Sequence, residues 1–156
     1  LMLPDYYEKI ALIANQARQV GYQGVMLGAD GWDGVLGKLT DETKSAVDNC
    51  YFSNHYFVDD QGEKVATFVN AFKEKYNGEA PVSFAALGYD SVYIMKQAIE
   101  AAGSTDSAAI VEAMKAVDYD GVTGHMTFDE NGDPVKSVAI IKLQDGAMSL
   151  ETMMDA

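Results

Sequence analysis

The sequence predicts an α/β fold, and three observations predict it. An amphipathic segment near the start lies between two short apolar runs, which is the pattern of a βαβ unit. Three further helical periodicities fill the middle of the chain, and short apolar runs separated by turn residues close it. At 156 residues the chain is long enough for one domain with a substantial core.

Taken in order, Leu1-Met2-Leu3 reads as the tail of a strand already under way, so the chain is expected to be a piece of a longer one. From Tyr6 to Val20 the residues Ile10, Ile13, Ala14, Ala17 and Val20 recur at helical spacing, and Gly21 stands where a helix C-cap favours glycine. Val25-Met26-Leu27-Gly28 is a short apolar run, expected as a parallel strand covered on both faces. A short helix is expected over Gly31 to Leu39, and a further strand at Cys50-Tyr51-Phe52. Val65, Phe68, Val69, Phe72 and Tyr76 define one helix face between Gly62 and Tyr76, ended by Asn77-Gly78. A third helix runs from Ser83 to Ala102 with Leu87, Val92, Met95, Ala98 and Ile99 expected inward. Ser104-Thr105-Asp106 caps a fourth, whose Ile110, Val111, Met114 and Val117 are expected to face the core. Met126-Thr127-Phe128, Val138 to Leu143 and Met148 to Glu151 read as strands, joined by turns at Asp129 to Asp133 and Gln144-Asp145-Gly146. A helix-rich middle and a β-rich end predict more than one structural unit.

Composition narrows the function. The net charge of -13 argues against nucleic acid, because binding a phosphate backbone requires cationic neutralisation. A single cysteine, Cys50, excludes an internal disulfide and a cysteine-based zinc site, and its apolar neighbours suit a small buried hydrophobe. Asp129-Glu130-Asn131-Gly132-Asp133 resembles the start of a calcium loop, but the twelfth position would be Ile140, so a β-turn is the better reading. His55 and His125 have no acidic or cysteine neighbour in sequence and are expected to be ordinary histidines. No nucleophile elbow and no phosphate-cradling glycine loop is present, so no catalytic residue, metal or cofactor is expected.

The candidate site lies at two strand ends. Leu3-Pro4-Asp5-Tyr6-Tyr7-Glu8 and Gly28-Ala29-Asp30-Gly31-Trp32-Asp33 each follow an apolar run, and open α/β sheets bind ligands outside the carboxyl ends of their strands. Asp30 sits between Gly28 and Gly31, which allow close approach of a ligand, although it could equally cap the helix that follows. Tyr6 could likewise be a ligand contact or a helix-start residue packed on a neighbour. Trp32 beside Asp30 favours a site: an aromatic wall next to a carboxylate suits an ammonium group.

These segments, with Asn15-Gln16-Ala17-Arg18-Gln19-Val20-Gly21, Gly88-Tyr89-Asp90-Ser91-Val92-Tyr93 and the run Gly124-His125-Met126-Thr127-Phe128-Asp129-Glu130-Asn131-Gly132-Asp133-Pro134, resemble the second half of type I solute-binding proteins of ABC transporters. The nearest group is the branched-chain amino-acid (Leu/Ile/Val) binding proteins, and the likeness covers essentially the whole chain in order. The resemblance implies the type I periplasmic binding protein fold: two Rossmann-like or flavodoxin-like lobes of parallel sheet with flanking helices, present here as a C-terminal fragment. It gives residues 1–49 to the C-terminal lobe, 50–61 to a crossover, 62–120 to the N-terminal lobe, 121–137 to a crossover and turn, and 138–156 to the C-terminal lobe again. It also implies an amino acid caught by closure about a hinge, with Tyr6 touching the ligand and Asp30 pairing with its α-ammonium. Some members carry glutamate at the Asp30 position, so the reach here is one methylene shorter. No family role carries over to Trp32, whose position suggests a wall of the side-chain pocket; Tyr89 is expected to line the cleft from the other lobe. A membrane permease and the missing N-terminal half, which grips the ligand carboxylate, are the implied partners. The implied location is periplasmic or extracellular, with a lipoprotein anchor compatible. A ligand-sensing receptor module, an amide or aromatic-acid binder, and an enzyme of flavodoxin-like architecture are the alternatives.

Overall fold

The computed structural model describes residues 1–155. In chain order the regular elements are α1 (Tyr7–Gln19), β1 (Leu27–Gly28), β2 (Cys50–Asn54), α2 (Glu63–Lys75), α3 (Ser83–Ala102), α4 (Ser107–Met114), β3 (Tyr119–Gly121), β4 (Gly124–Phe128), β5 (Pro134–Lys136), β6 (Val138–Gln144) and β7 (Ala147–Met154). They divide into two compact units, one of residues 1–57 with 138–154 and the other of residues 58–137.

The first unit is a four-stranded sheet in the order β1-β2-β6-β7. It is mixed where a parallel sheet was expected: β1 and β2 run parallel, whereas β2, β6 and β7 pair antiparallel. Met2 bridges Leu27 in parallel, and Leu3 N donates to Leu27 O at 2.8 Å, so the N-terminal segment extends the parallel edge. β1 has shrunk to two residues of the expected run, with Met26 and Gly28 buried and Val25 and Leu27 partly exposed. The region expected as one short helix forms two 3-10 turns instead, Asp30–Trp32 and Val35–Lys38.

α1 packs Ile10, Ala11 and Ala14 on this sheet, against Met26, Phe52 and Ile141 of the same core. Burying each large apolar side chain contributes about 1.5–3 kcal/mol before entropy is counted. Gly21 follows α1 at φ 88, and Tyr22 N donates to Ala17 O at 2.9 Å, which closes the helix end. Arg18 then ties the helix to its surroundings. Its guanidinium donates to the carbonyls of Tyr22 and Gly24, both at 2.9 Å, and of Ala46 at 3.0 Å. β6 and β7 form a hairpin through Asp145 (φ 52) and Gly146 (φ 71), two left-handed residues as a tight two-residue turn requires.

The second unit holds α2, α3 and α4 and a three-stranded antiparallel sheet in the order β3-β4-β5. Residues 121–137, which the resemblance gives to a crossover and turn, supply β4 and β5 of this sheet. Its core joins Ile94 and Ala98 of α3 to Val117 and Met126, with Ile110, Met114 and Phe128 packed alongside. The buried stripe of α3 is Ala86, Asp90, Ile94 and Ala98, which matches the expected set only in part: Ala98 is buried and Leu87 and Ile99 are half-buried, but Val92 and Met95 are exposed, as is Val111 of α4. Asp106 caps α4 as expected, its side chain accepting from Ala109 N at 3.1 Å. The Asp129 turn is closed by its own carboxylate, which accepts from Asn131 N at 2.8 Å and Asp133 N at 2.9 Å, and these bonds hold its carboxyl below the usual range.

Candidate ligand-binding site

Three chain segments run parallel side by side: residues 1–3, β1 and β2. Their carboxyl ends therefore share one edge of the sheet, where binding residues of α/β proteins collect. Tyr6 follows the first, Asp30 the second and His55 the third.

Tyr6 occupies the N-cap position of α1 in extended backbone, with 62% of its surface exposed. Its backbone N–H donates to Asp5 Oδ1 at 2.7 Å, and its carbonyl accepts the first helical bonds from Lys9 and Ile10. Tyr6 thus starts the helix and also presents a large exposed ring. The loop carrying Asp30 lies directly against it. A Cβ added at Gly31 would stand 2.8 Å from Asp5 O and 3.3 Å from Tyr6 Cδ1, so only glycine permits this approach.

Asp30 opens its 3-10 turn and is partly exposed, at 40% of its side chain. Oδ1 accepts from Gly31 N at 3.0 Å, and Oδ2 lies 3.1 Å from His55 Nε2. Asp30 does not cap this turn, since Ala29 holds the N-cap position; its carboxylate bonds the adjacent N–H and stays partly exposed. A recess of about 200 Å³ is lined by Asp30, Ser53, Asn54, His55 and Val138. The arrangement offers anionic oxygen, a hydroxyl and an imidazole to a small polar group.

Trp32 is the correction. It was expected as an aromatic wall beside the carboxylate, but its ring is fully buried. It stacks on Phe52 at 6.4 Å between centroids, and Nε1 donates to Leu3 O at 2.9 Å. The 3-10 turn sends the side chain two residues after Asp30 into the core. Trp32 therefore supports the strand ends from beneath and presents no surface to a ligand.

His55 is the residue that sequence reading missed, since its acidic partner is 25 positions away. The signal was available in topology: Leu27 pairs with Tyr51 and Gly28 with Phe52, so extending the register sets the residues after β1 beside those after β2. His125 also has an acidic partner, Asp118 Oδ1 at 2.7 Å, but that pair is exposed on the second unit.

Tyr89 belongs to the second unit. It lies on α3, 42% exposed, with its ring 5.1 Å from Phe68 and its hydroxyl 3.3 Å from that of Tyr93. That hydrogen bond, with some burial, pushes its hydroxyl pKa upward. Phe68, Tyr93, Tyr119 and the Lys64–Asp120 ion pair line the same shallow recess. Close by, Asp90 is buried and well satisfied: it accepts from Val122 N at 2.9 Å and Thr123 N at 2.8 Å, and from the Tyr119 hydroxyl at 3.4 Å. Burial, and then the Asp90 charge, push the Tyr119 hydroxyl up to about 12.

The family model for periplasmic binding proteins matches residues 6–147. The chain belongs to the periplasmic binding protein family. This is a family of binding proteins, not of enzymes. Among relatives of the chain, the Leu/Ile/Val-binding protein homolog 1 of Brucella abortus is 30% identical over 134 residues, which cover 83% of this chain and 35% of that protein. The leucine-, isoleucine-, valine-, threonine-, and alanine-binding protein of Pseudomonas aeruginosa is 26% identical over 82% of this chain and 33% of its own length. Among solved structures, the leucine-binding protein LivK of Thermotoga maritima is 35% identical with a TM-score of 0.80, covering 99% of this chain and 44% of that one. The branched-chain amino-acid substrate-binding protein LivJ of Streptococcus pneumoniae, in complex with isoleucine, is 30% identical with a TM-score of 0.73, over 99% of this chain and 43% of its own. This periplasmic binding protein chain thus spans about a third of the length of its curated relatives.

Proposed function

We propose that the chain is the C-terminal part of an extracytoplasmic substrate-binding protein of an ABC transporter, and that it captures an apolar amino acid. One observation carries this reading: the carboxyl ends of three parallel segments bring an exposed tyrosine and a partly exposed aspartate together on one sheet edge. Relatives named for leucine, isoleucine and valine support the ligand class. Asp30 pairs with the ligand ammonium, because a charge-assisted bond between ammonium and carboxylate is stronger than a neutral one. Tyr6 supplies a ring face or a hydroxyl beside it. Tyr89 is a lesser contact, supported by its exposure and its aromatic surroundings. The grip on the ligand carboxylate comes from residues outside this chain. Closure of the two-lobed protein about its hinge excludes water and strengthens these bonds. A membrane permease is the partner, and the periplasm or the cell surface is the location.

A thermal-shift screen of the full-length protein against the amino acids and amine-free organic acids tests this reading. Leucine, isoleucine or valine should raise the melting temperature by several degrees, as ligand bound only to the native state must. A response confined to amine-free acids would overturn the assignment.

A further inference from the structure

We infer that His55 is a positioning residue for the ligand ammonium, acting through Asp30. The inference rests on the reading of Asp30 as the ammonium-binding carboxylate. His55 Nε2 lies 3.1 Å from Asp30 Oδ2, while Asp30 Oδ1 accepts from Gly31 N at 3.0 Å. Each carboxylate oxygen has two acceptor directions, so these two bonds fix the plane of the group and leave a place on each oxygen. An ammonium brings three donors, and the Ser53 hydroxyl lines the same recess as a further acceptor.

The backbone that carries the imidazole is anchored. His55 follows directly on β2, its backbone N–H donates to Asn54 Oδ1 at 2.9 Å, and Asn54 is buried. Its ring therefore spans from the end of one parallel strand to the loop of the next. Asp30 has no other side-chain clamp among the hydrogen bonds of the described residues. A partly exposed aspartate side chain loses rotamer freedom when it binds, and holding it beforehand lowers that cost. With Nε2 protonated, the ring donates to Oδ2 whether or not the ligand is present. His55 thus helps set both the affinity for primary ammonium ligands and the direction from which the ammonium approaches.

Calorimetric titration of the full-length protein with L-leucine tests this. His55→Ala should weaken binding about tenfold, the loss expected for one charge-assisted hydrogen bond. His55→Gln, which keeps an N–H donor, should return affinity to within about threefold of the parent. In an Asp30→Ala background, His55→Ala should add nothing, since no carboxylate remains to orient. The ring-nitrogen NMR signal of His55 in the unmutated protein should shift on leucine addition, a readout independent of how the variants fold. Unchanged or tighter binding by His55→Ala, or an unmoved ring signal, would overturn the role of His55. If Asp30→Ala still weakens binding in that case, the ammonium reading of Asp30 stands without it. If Asp30→Ala binds L-leucine like the parent, the ammonium reading fails first and this inference falls with it.

Discussion

Asp30 and Asp90 are the same side chain put to opposite uses. Asp30 stands partly exposed on the first unit, bonded to its own turn and to one histidine. Asp90 is 1% exposed on the second unit, with two backbone N–H groups and a tyrosine hydroxyl converging on it. Burying a carboxylate is costly unless donors replace the lost water, and Asp90 has those donors. Its acceptor capacity goes to holding the segment Val122-Thr123 onto α3. A Cβ at Gly121 would stand 2.6 Å from Asp90 Oδ2, so the backbone there has closed onto the carboxylate. Lys136 shares this arrangement: its ammonium donates to Thr123 Oγ1 at 2.8 Å, and burial lowers its pKa against the opposing pull of Asp90. The difference separates a carboxylate left partly open to solvent from one enclosed by backbone donors. What remains unspent on the protein is what a ligand can use.

Asp90→Ala should show the largest effect. It strands two buried N–H groups at about 1–3 kcal/mol each, so chemical denaturation should report a loss of about 2–6 kcal/mol. Asp90→Asn, which keeps one acceptor oxygen, should recover part of that loss. If Asp90→Ala costs nothing, the contrast between the two aspartates collapses. Gly31→Ala sharpens the other side. Its new methyl meets the Asp5 carbonyl at 2.8 Å, and backbone must move to relieve it. A cost of about 1–3 kcal/mol is expected, with leucine affinity reduced several-fold because Tyr6 and Asp30 are pushed apart. The smallest effect lies at high pH. The Tyr119 hydroxyl is raised from 10.0 to about 12, first by burial and then by the Asp90 charge. The folded state therefore holds this proton more tightly than the unfolded one. The associated stability is complete below pH 10 and is lost as pH rises toward about 12. Unfolding curves across that window should flatten in Tyr119→Phe, which has no proton to lose.

Much of the fold was legible because local signals were strong. α2 and α3 fall within a residue of their expected ends, and Asp106 caps α4 as its sequence suggests. The Asp129 turn and the Asp145-Gly146 hairpin also form at their turn residues. The buried stripe of α3 was misread in part, Ala98 aside, because apolar residues lie on several of its faces, so periodicity chose Val92 and Met95 over the stripe containing Asp90. A charged residue does not advertise burial; only its donors, some 30 residues later, make it possible. The same distance problem hid the Asp30–His55 pair. Trp32 failed for a different reason. Sequence adjacency to Asp30 was read as a shared surface, yet a 3-10 turn moves successive side chains about a third of a revolution. That Tyr6 and Asp30 share one sheet edge was legible because the strand-end rule is topological and needs only the order of the elements.

The most direct measurement is calorimetric titration of Asp30→Ala in the full-length protein with L-leucine, alongside its melting temperature. Losing one ammonium–carboxylate pair should cost about 3 kcal/mol, on the order of a 100-fold weaker affinity. The melting temperature without ligand should change little, because Asp30 is partly exposed and its bonds to Gly31 N and His55 are only partly buried. Unchanged affinity for leucine would contradict the account.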